Sequence, residues 1–407
     1  YGRVGQAVAY LAERRREQLL AANVDVRCIR ALVRDPRRPR LGPRVPLSTG
    51  GVSVLEADID VVVEVLGGLE PAGQLVRLAL DAGIPVVTAN KTLVAAAGGE
   101  LRALAARRHT AFAFDAAVLA GVPFLGSLSR RPLVAGAREI AAVLNGTSNF
   151  VLTEMAKGAS ADAALTEAVT RGYAEPECDA DISGLDAAQK LSILLELAGC
   201  SGVQARDLPR ASLSILESSD LVAAGRLGGA IKPVAYASLD PDCGGAWVGP
   251  AFVRDDHPFS RLTGVANSVN LTDVNGRTVT FSGPGAGPEV TAATILDDIV
   301  EIFSGCGGSS GITPPRITGP IADLTTPPAG GWFIRIAGTP EHEPQHVAEF
   351  LASNGAPVLH LLSDRGHLAG LTVPADWLTV RDAIDALQSI GARVIALPIL
   401  ESGSCEQ

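Results

Sequence analysis

No C-x-x-C pair occurs in this chain, and its six cysteines stand far apart, at 28, 178, 200, 243, 306 and 405. That spacing indicates neither a zinc cluster nor a dense disulfide framework, and a reducing cytoplasm fits it best. A basic surplus is lacking too: 34 Lys and Arg face 44 Asp and Glu, for a formal net charge of -10. A general nucleic-acid or anionic-membrane surface needs a basic footprint, so a small molecule is the expected partner. No uninterrupted apolar run approaches the ~20 residues of a membrane-spanning helix. Core material is abundant, with 47% hydrophobic and 19% charged residues. Packed domains are therefore expected rather than disorder, two or three of them for 407 residues. The chain begins at Tyr1 rather than Met, so its letters say nothing of a leader.

The first residues, "YGRVGQAVAYLAERRREQLL", read as the tail of a G-x-G-x-x-G fingerprint entering a helix, with Gly2 and Gly5 as its second and third glycines and Val4 between them. The first glycine and its strand would lie upstream of Tyr1. A glycine-started surface helix is the competing reading. The pattern predicts a strand at 24–33, then a strand at 60–68, a helix at 71–83 and a strand at 84–91. Continuous Val/Ile runs are typical of strands covered on both faces, which predicts a parallel, doubly wound sheet. Ligands of such sheets sit beyond the carboxyl ends of the strands, where Gly67, Gly68, Asn90 and Lys91 fall. Past the second strand, "VRDPRRPRLGPRVP" carries Arg34 and Arg37, suited to a ribose 2'-phosphate and so to NADP, while Asp35 keeps NAD as the alternative.

From 116 to 284 helix and strand signals mix, with helices expected at 160–172 and 184–199 and strands near 264–282. "FDAAVLAGVPFLG" (114–126) reads as buried strand and turn. In "AVLNGTSNFVL" (142–152) an apolar strand ends in a polar turn, where Asn145, Thr147, Ser148 and Asn149 suit a turn or helix cap. "SGPGAGPEVTAATILDDIVEIF" (282–303) is a second glycine loop opening a helix, either an anion site or a packing turn. After a linker at 325–331, the order strand-helix-strand-strand-helix-strand predicts a small ferredoxin-like module.

Two stretches invite a metal. "DADISGLDAAQK" (179–190) places Asp179, Asp181, Ser183 and Gly184 at calcium-loop positions, but its last position, which needs a glutamate, is Lys190. "HEPQH" (342–346) matches H-E-x-x-H, yet Pro344 starts a helix and leaves His342 outside it. The first stretch carries a different chemistry. Glu175, Glu177, Asp179, Asp181 and Asp186 crowd together with Lys190 as their sole cation. Bound ammonium would relieve the repulsion, and Lys190 would serve as a general acid. An exposed Asp186/Lys190 pair on a helix is the plainer alternative.

Together "GRVG", "VVEVLGGLEPA", "VVTANK", "NGTSNF", "GYAEPECDADISGLDAAQKLSIL" and "GPGAGPEVTAATILDDIV" resemble, in order, the homoserine dehydrogenase family over essentially the whole chain. The resemblance implies NAD(P)H-dependent reduction of aspartate 4-semialdehyde to homoserine, in the biosynthesis of threonine, methionine and isoleucine. It implies an α/β chain with a Rossmann-like nucleotide-binding domain at 1–115 plus 285–324, an α+β catalytic and dimerisation domain at 116–284, and an ACT-like regulatory module at 331–407. Lys190 matches the proton donor and Asp186 its partner. Glu175 and Asp181 match the substrate's amino and hydroxyl contacts, Lys91 the lysine where nicotinamide and substrate meet, and Gly287 a coenzyme contact. Asp115, Val118, Ala120 and Val122 match a site for sodium or another monovalent cation, although Asp115 and Ala120 stand where the family often has Glu and Gly. "GTPEHEPQ" replaces the usual Asp-x-x-Gly turn of an ACT domain, which leaves threonine as an effector open. A homodimer or homotetramer is implied. A non-catalytic amino-acid sensor, and a dehydrogenase of another amino-aldehyde, are the alternative readings.

Overall fold

The computed structural model describes residues 1–40, 42–56, 58–122, 125, 137–175, 177–242, 244–285, 287–304, 321–338, 344–364 and 367–401. The chain separates into two compact units, residues 1–136, 192–204 and 283–316 forming the first and residues 137–191, 205–282 and 317–407 the second.

In the first unit β1 (Ala31–Leu32) pairs in parallel with β2 (Leu47–Ser48), and β3 (Val62–Glu64), β4 (Val86–Thr88) and β5 (Phe112–Ala113) form a parallel sheet in that order. Parallel neighbours need crossovers, here the helices Ala72–Asp81 and Lys91–Arg107. Val86, Val87, Phe112 and Ala113 are fully buried, as strands covered on both faces must be. Val87 and Ala113 share a core with Val8 and Leu11 of the helix Arg3–Arg14 and with Ala292 and Ile295 of the helix Pro288–Phe303. The strand expected at 24–33 shrinks to Ala31–Leu32, because among the described residues only Leu47–Ser48 lies alongside it. Asp25 instead binds Arg16 and Arg27, and Cys28 to Arg30 are exposed. Within 114–126 a short helix, Asp115–Val118, stands where strand was expected; a short buried apolar run suits either state.

The second unit is built on nine strands in the order β10-β9-β6-β7-β8-β14-β11-β13-β12. The ranges are β6 Ala137–Val143, β7 Gly229–Ser238, β8 Gly245–Arg254, β9 Ala266–Asp273 and β10 Thr278–Pro284, then β11 Trp332–Ala337, β12 Val358–Asp364, β13 His367–Thr372 and β14 Arg393–Leu400. The helices Gly146–Ala156 and Ser218–Arg226 pack their apolar sides on β7, β8 and β11. The last four strands, with the helices Pro344–Ser353 and Trp377–Ser389, run βαββαβ in the order β14-β11-β13-β12, the ferredoxin-like arrangement.

This module continues the larger sheet. β14 joins β8 in parallel at Ile399–Phe252 and Leu400–Val253, and the Phe252 and Phe333 rings stack at 5.9 Å. Arg335 of β11, buried, pairs with Glu217 and, at 3.2 Å, with Asp220 at the start of the helix Ser218–Arg226. The stretch 325–331 is held at both ends: Thr326 O accepts from Ala246 N at 2.9 Å, and Gly330 bridges to Ala375. A side chain on Gly245 would meet Thr326 O at 2.7 Å, so the close passage requires glycine.

Candidate active site

β6 ends at the polar stretch foreseen as a cap, and Asn145 caps the helix Gly146–Ala156, its Oδ1 accepting from Ser148 N at 2.8 Å. The same side chain does more. Its Nδ2 donates to Asp181 Oδ1 at 2.7 Å and to Asp186 Oδ2 at 2.8 Å. Asp186 lies in the first turn of the helix Leu185–Leu197, so Lys190 falls one turn on, its Nζ 3.0 Å from Asp186 Oδ2. Lys190 Nζ also donates to Leu144 O at 2.8 Å, an oxygen that accepts from Asn267 Nδ2 at 3.1 Å. Only 13% of the lysine side chain and 4% of the aspartate side chain are exposed, which separates this pair from an ordinary solvated i,i+4 pair. Ser148 Oγ holds the backbone of Asp181, and Gly184, at φ +75, turns the chain between the short helix Asp179–Ile182 and the longer one. A narrow cavity lined by Asn145, Ser148, Asp181, Gly184, Val234 and Val248 borders the group.

Of the five crowded carboxylates, Asp181 and Asp186 are thus brought together with Lys190. Glu175, Glu177 and Asp179 are exposed. Thr147 Oγ1 donates to Tyr173 O at 2.8 Å, tying the stretch before Glu175 to the capped helix. Among the described residues no cluster of His, Cys, Asp and Glu suits a metal ion; His342 lies outside them.

In the first unit Gly67, Gly68 and Lys91 follow β3 and β4, where coenzyme residues were expected. Gly2 is the extended residue before the helix Arg3–Arg14, which has no side-chain cap, and a side chain on Gly2 would meet nothing. Gly5 packs against Val65. Glu64, buried, accepts from Leu66 N at 2.6 Å and Thr88 Oγ1 at 2.5 Å; Thr88 Oγ1 accepts from Asn90 N, and Asn90 Nδ2 donates to Gly68 O at 2.7 Å. This brace joins the loops after β3 and β4 and sets Gly67 and Gly68, at φ +78 and +74, beside Lys91, first residue of its helix. Gly287, at φ +135, opens the helix Pro288–Phe303, which also has no side-chain cap. Arg34 and Arg37 are exposed on a loop that Arg40 fastens to Tyr1 O at 3.2 Å, next to Gly2. Helix starts without a side-chain cap, behind open glycines, fit a phosphate-bearing coenzyme.

Asp115, Val118, Ala120 and Val122 are buried, also in the first unit. Beside them Asp298 accepts the Asp115 backbone N–H, while its Oδ2 is buried with no partner. Burial first, then the Asp115 and Glu301 carboxylates, pushes the Asp298 carboxyl well above the usual range.

Sequence reasoning did not foresee the Asn145 bridge, the Leu144 carbonyl or the Glu64–Thr88–Asn90 brace. "NGTS" after a strand signals a cap, but the capping amide's other partners come from distant segments that spacing does not reveal.

A dinucleotide-binding parallel α/β unit, together with a mixed α/β unit carrying an acidic, lysine-bearing site, defines the general class of nucleotide-dependent enzymes acting on small molecules. Within it the homoserine dehydrogenase NAD binding domain matches residues 1–115 and the homoserine dehydrogenase domain residues 123–300. Homoserine dehydrogenase of Bacillus subtilis is 33% identical over 78% of this chain and 74% of its own. That of Lactococcus lactis is 36% identical over 61% of this chain, a match spanning 58% of the relative's length. The crystal structure of a homoserine dehydrogenase from Thiobacillus denitrificans superposes with a TM-score of 0.87 at 28% identity, covering 99% of this chain and 97% of that one. A hyperthermophilic archaeal homoserine dehydrogenase in complex with NADPH has a TM-score of 0.55 at 29% identity, covering 64% of this chain and 76% of that one. The chain belongs to the homoserine dehydrogenase family.

Proposed function

We propose that this chain catalyses the reversible, NAD(P)H-dependent reduction of L-aspartate 4-semialdehyde to L-homoserine. The observation that carries the reading is the Lys190 ammonium group anchored by Asp186 and the Leu144 carbonyl, with Asn145 linking Asp186 to Asp181, in a chain of this family. When bound, the nicotinamide coenzyme supplies the hydride. The protein's share is orientation and proton delivery. Lys190 gives a proton to the aldehyde oxygen as negative charge grows there, and takes it back from the alcohol in reverse. Asp186 fixes the position of that ammonium group. Asp181 and Glu175 hold the substrate's hydroxyl and amino ends, and Lys91 acts on the nicotinamide side.

Gly2, Val4, Gly5, Gly67 and Gly287 form the phosphate-facing backbone, and Arg34 and Arg37 favour NADP over NAD. The archaeal relative's complex with NADPH supports that preference. Asp115 with the carbonyls of Val118, Ala120 and Val122 is read as a monovalent-cation site, beside the buried Asp298 carboxyl. The βαββαβ module is read as an ACT-like regulatory domain, with threonine as its candidate effector; residues 339–343 lie outside the described ones. A homodimer or homotetramer and a cytoplasmic setting complete the proposal. Among the described residues Cys28, Cys178 and Cys200 are free thiols, which fits that setting.

The test follows nicotinamide absorbance with aspartate semialdehyde in one direction and homoserine in the other, with each coenzyme. Turnover faster with the phosphorylated coenzyme is expected. No turnover with either coenzyme overturns the reading.

A further inference from the structure

We infer that Asn145 is a positioning residue of the reaction, a neutral two-proton bridge that sets Asp181 and Asp186 for substrate and for Lys190. The inference rests on the dehydrogenase reading above. Its ground is the full commitment of one side chain that is 6% exposed. An amide nitrogen carries two hydrogens, and here one goes to each carboxylate, at 2.7 and 2.8 Å. The orientation of the amide is fixed by its neighbours, because Ser148 N–H can only donate and ionised carboxylates can only accept.

Asp186 Oδ2 receives both the amide proton and the Lys190 ammonium. Lys190's other anchor, the Leu144 carbonyl, belongs to the residue just before Asn145. One end of β6 therefore locates the proton donor twice, once directly and once through Asn145 and Asp186. The amide's neutrality matters as much as its reach. Asp181, Asp186 and Lys190 sum to one negative charge, which adds to the attraction of the Glu175 carboxylate for a substrate ammonium group. An arginine or lysine bridge would cancel that attraction, whereas an amide orients the two carboxylates and leaves it intact.

Two substitutions separate the bridge from the cap. Asn145→Ser keeps a good capping oxygen and deletes the bridge, while Asn145→Asp keeps cap and shape and puts a third carboxylate in place of the donor. Turnover and KM for homoserine are measured beside coenzyme affinity, by fluorescence, and thermal midpoint. Expected for Asn145→Ser is a kcat/KM lower by about tenfold or more, with KM raised, coenzyme affinity and midpoint near wild type, and Asn145→Asp lower still. Wild-type kinetics in Asn145→Ser would reduce the residue to a cap and overturn the inference. So would an activity loss that merely tracks a loss of coenzyme affinity or midpoint, or an Asn145→Asp enzyme more active than Asn145→Ser. An inactive wild-type protein would overturn the dehydrogenase reading and this inference with it.

Discussion

Lys190 Nζ stands 3.0 Å from Asp186 Oδ2, one helical turn behind it, with the lysine's charged end mostly shielded from solvent. The pair alone would be unremarkable on a helix surface; its burial and the Leu144 carbonyl make it a located ammonium group. Lys190→Ala should lower turnover about 10²-fold or more while leaving coenzyme binding intact. Lys190→Arg should fare little better, because a guanidinium keeps the charge but does not release its proton. Near-normal turnover in Lys190→Ala would remove it as the acid.

Arg34 and Arg37 extend from a loop tied to Tyr1 by Arg40, and Arg37 N–H also donates to Asp35 Oδ1 at 2.9 Å. Removing both guanidinium groups should raise KM for NADPH by about tenfold and leave KM for NADH nearly unchanged, since only the phosphorylated ribose has the charge they face. Equal effects on the two coenzymes would mean that the loop serves the fold and not the phosphate.

Much of this layout was legible because Val-rich strands, glycine-ended helices and the order of the last six elements leave periodic signals; the helices foreseen at 160–172 and 184–199 stand at Ala161–Thr170 and Leu185–Leu197. What escaped has physical causes. β7 and β8 are ten residues each, yet "GAIKPVAYAS" and "GAWVGPAFVR" are rich in Gly, Ala and Pro, which β-propensity counts against. They hold because each pairs with the other along its whole length. The site shows the same divide. Asp186 and Lys190 are neighbours by helical period, whereas Asn145 meets Asp186 only through tertiary folding across 41 positions. Arg335 likewise finds Glu217 and Asp220 across more than a hundred positions.

Lys232 is a buried amine on β7 whose Nζ donates to Leu262 O at 2.6 Å, and burial lowers its pKa from 10.5 to about 8. Between about 8 and 10.5 the unfolded chain therefore holds a proton that the folded chain has released, so folding stability rises with pH across that window. Below it the folded state carries the full cost of a buried charge, on the order of 3 kcal/mol. Lys232→Met leaves the Leu262 carbonyl without its donor, so the signature lies in the slope rather than in the absolute stability. Urea midpoints at about pH 7.5 and about pH 10 should rise more in wild type than in Lys232→Met. Parallel slopes would mean that the amine is solvated.

Asp298 has the opposite sign. Its carboxyl is pushed well above 3.8, by burial and by the Asp115 and Glu301 carboxylates. The native state then keeps a proton that the unfolded chain gives up, and stability falls as pH climbs from 3.8 toward that raised value. Asn at this position still accepts the Asp115 N–H and carries no charge, so Asp298→Asn should melt higher than wild type at neutral pH and depend less on pH. The same melts examine the cation. A small cation at the Asp115 carboxylate would neutralise the site, so sodium chloride should raise the wild-type midpoint above that in equimolar choline chloride, and the variant, which keeps Asp115 and replaces a protonated carboxyl, should show a similar difference. A variant that melts lower at neutral pH would show that Asp298 is charged and compensated in the native state, contrary to the raised carboxyl. Identical responses to the two salts would remove the cation from this corner of the nucleotide unit.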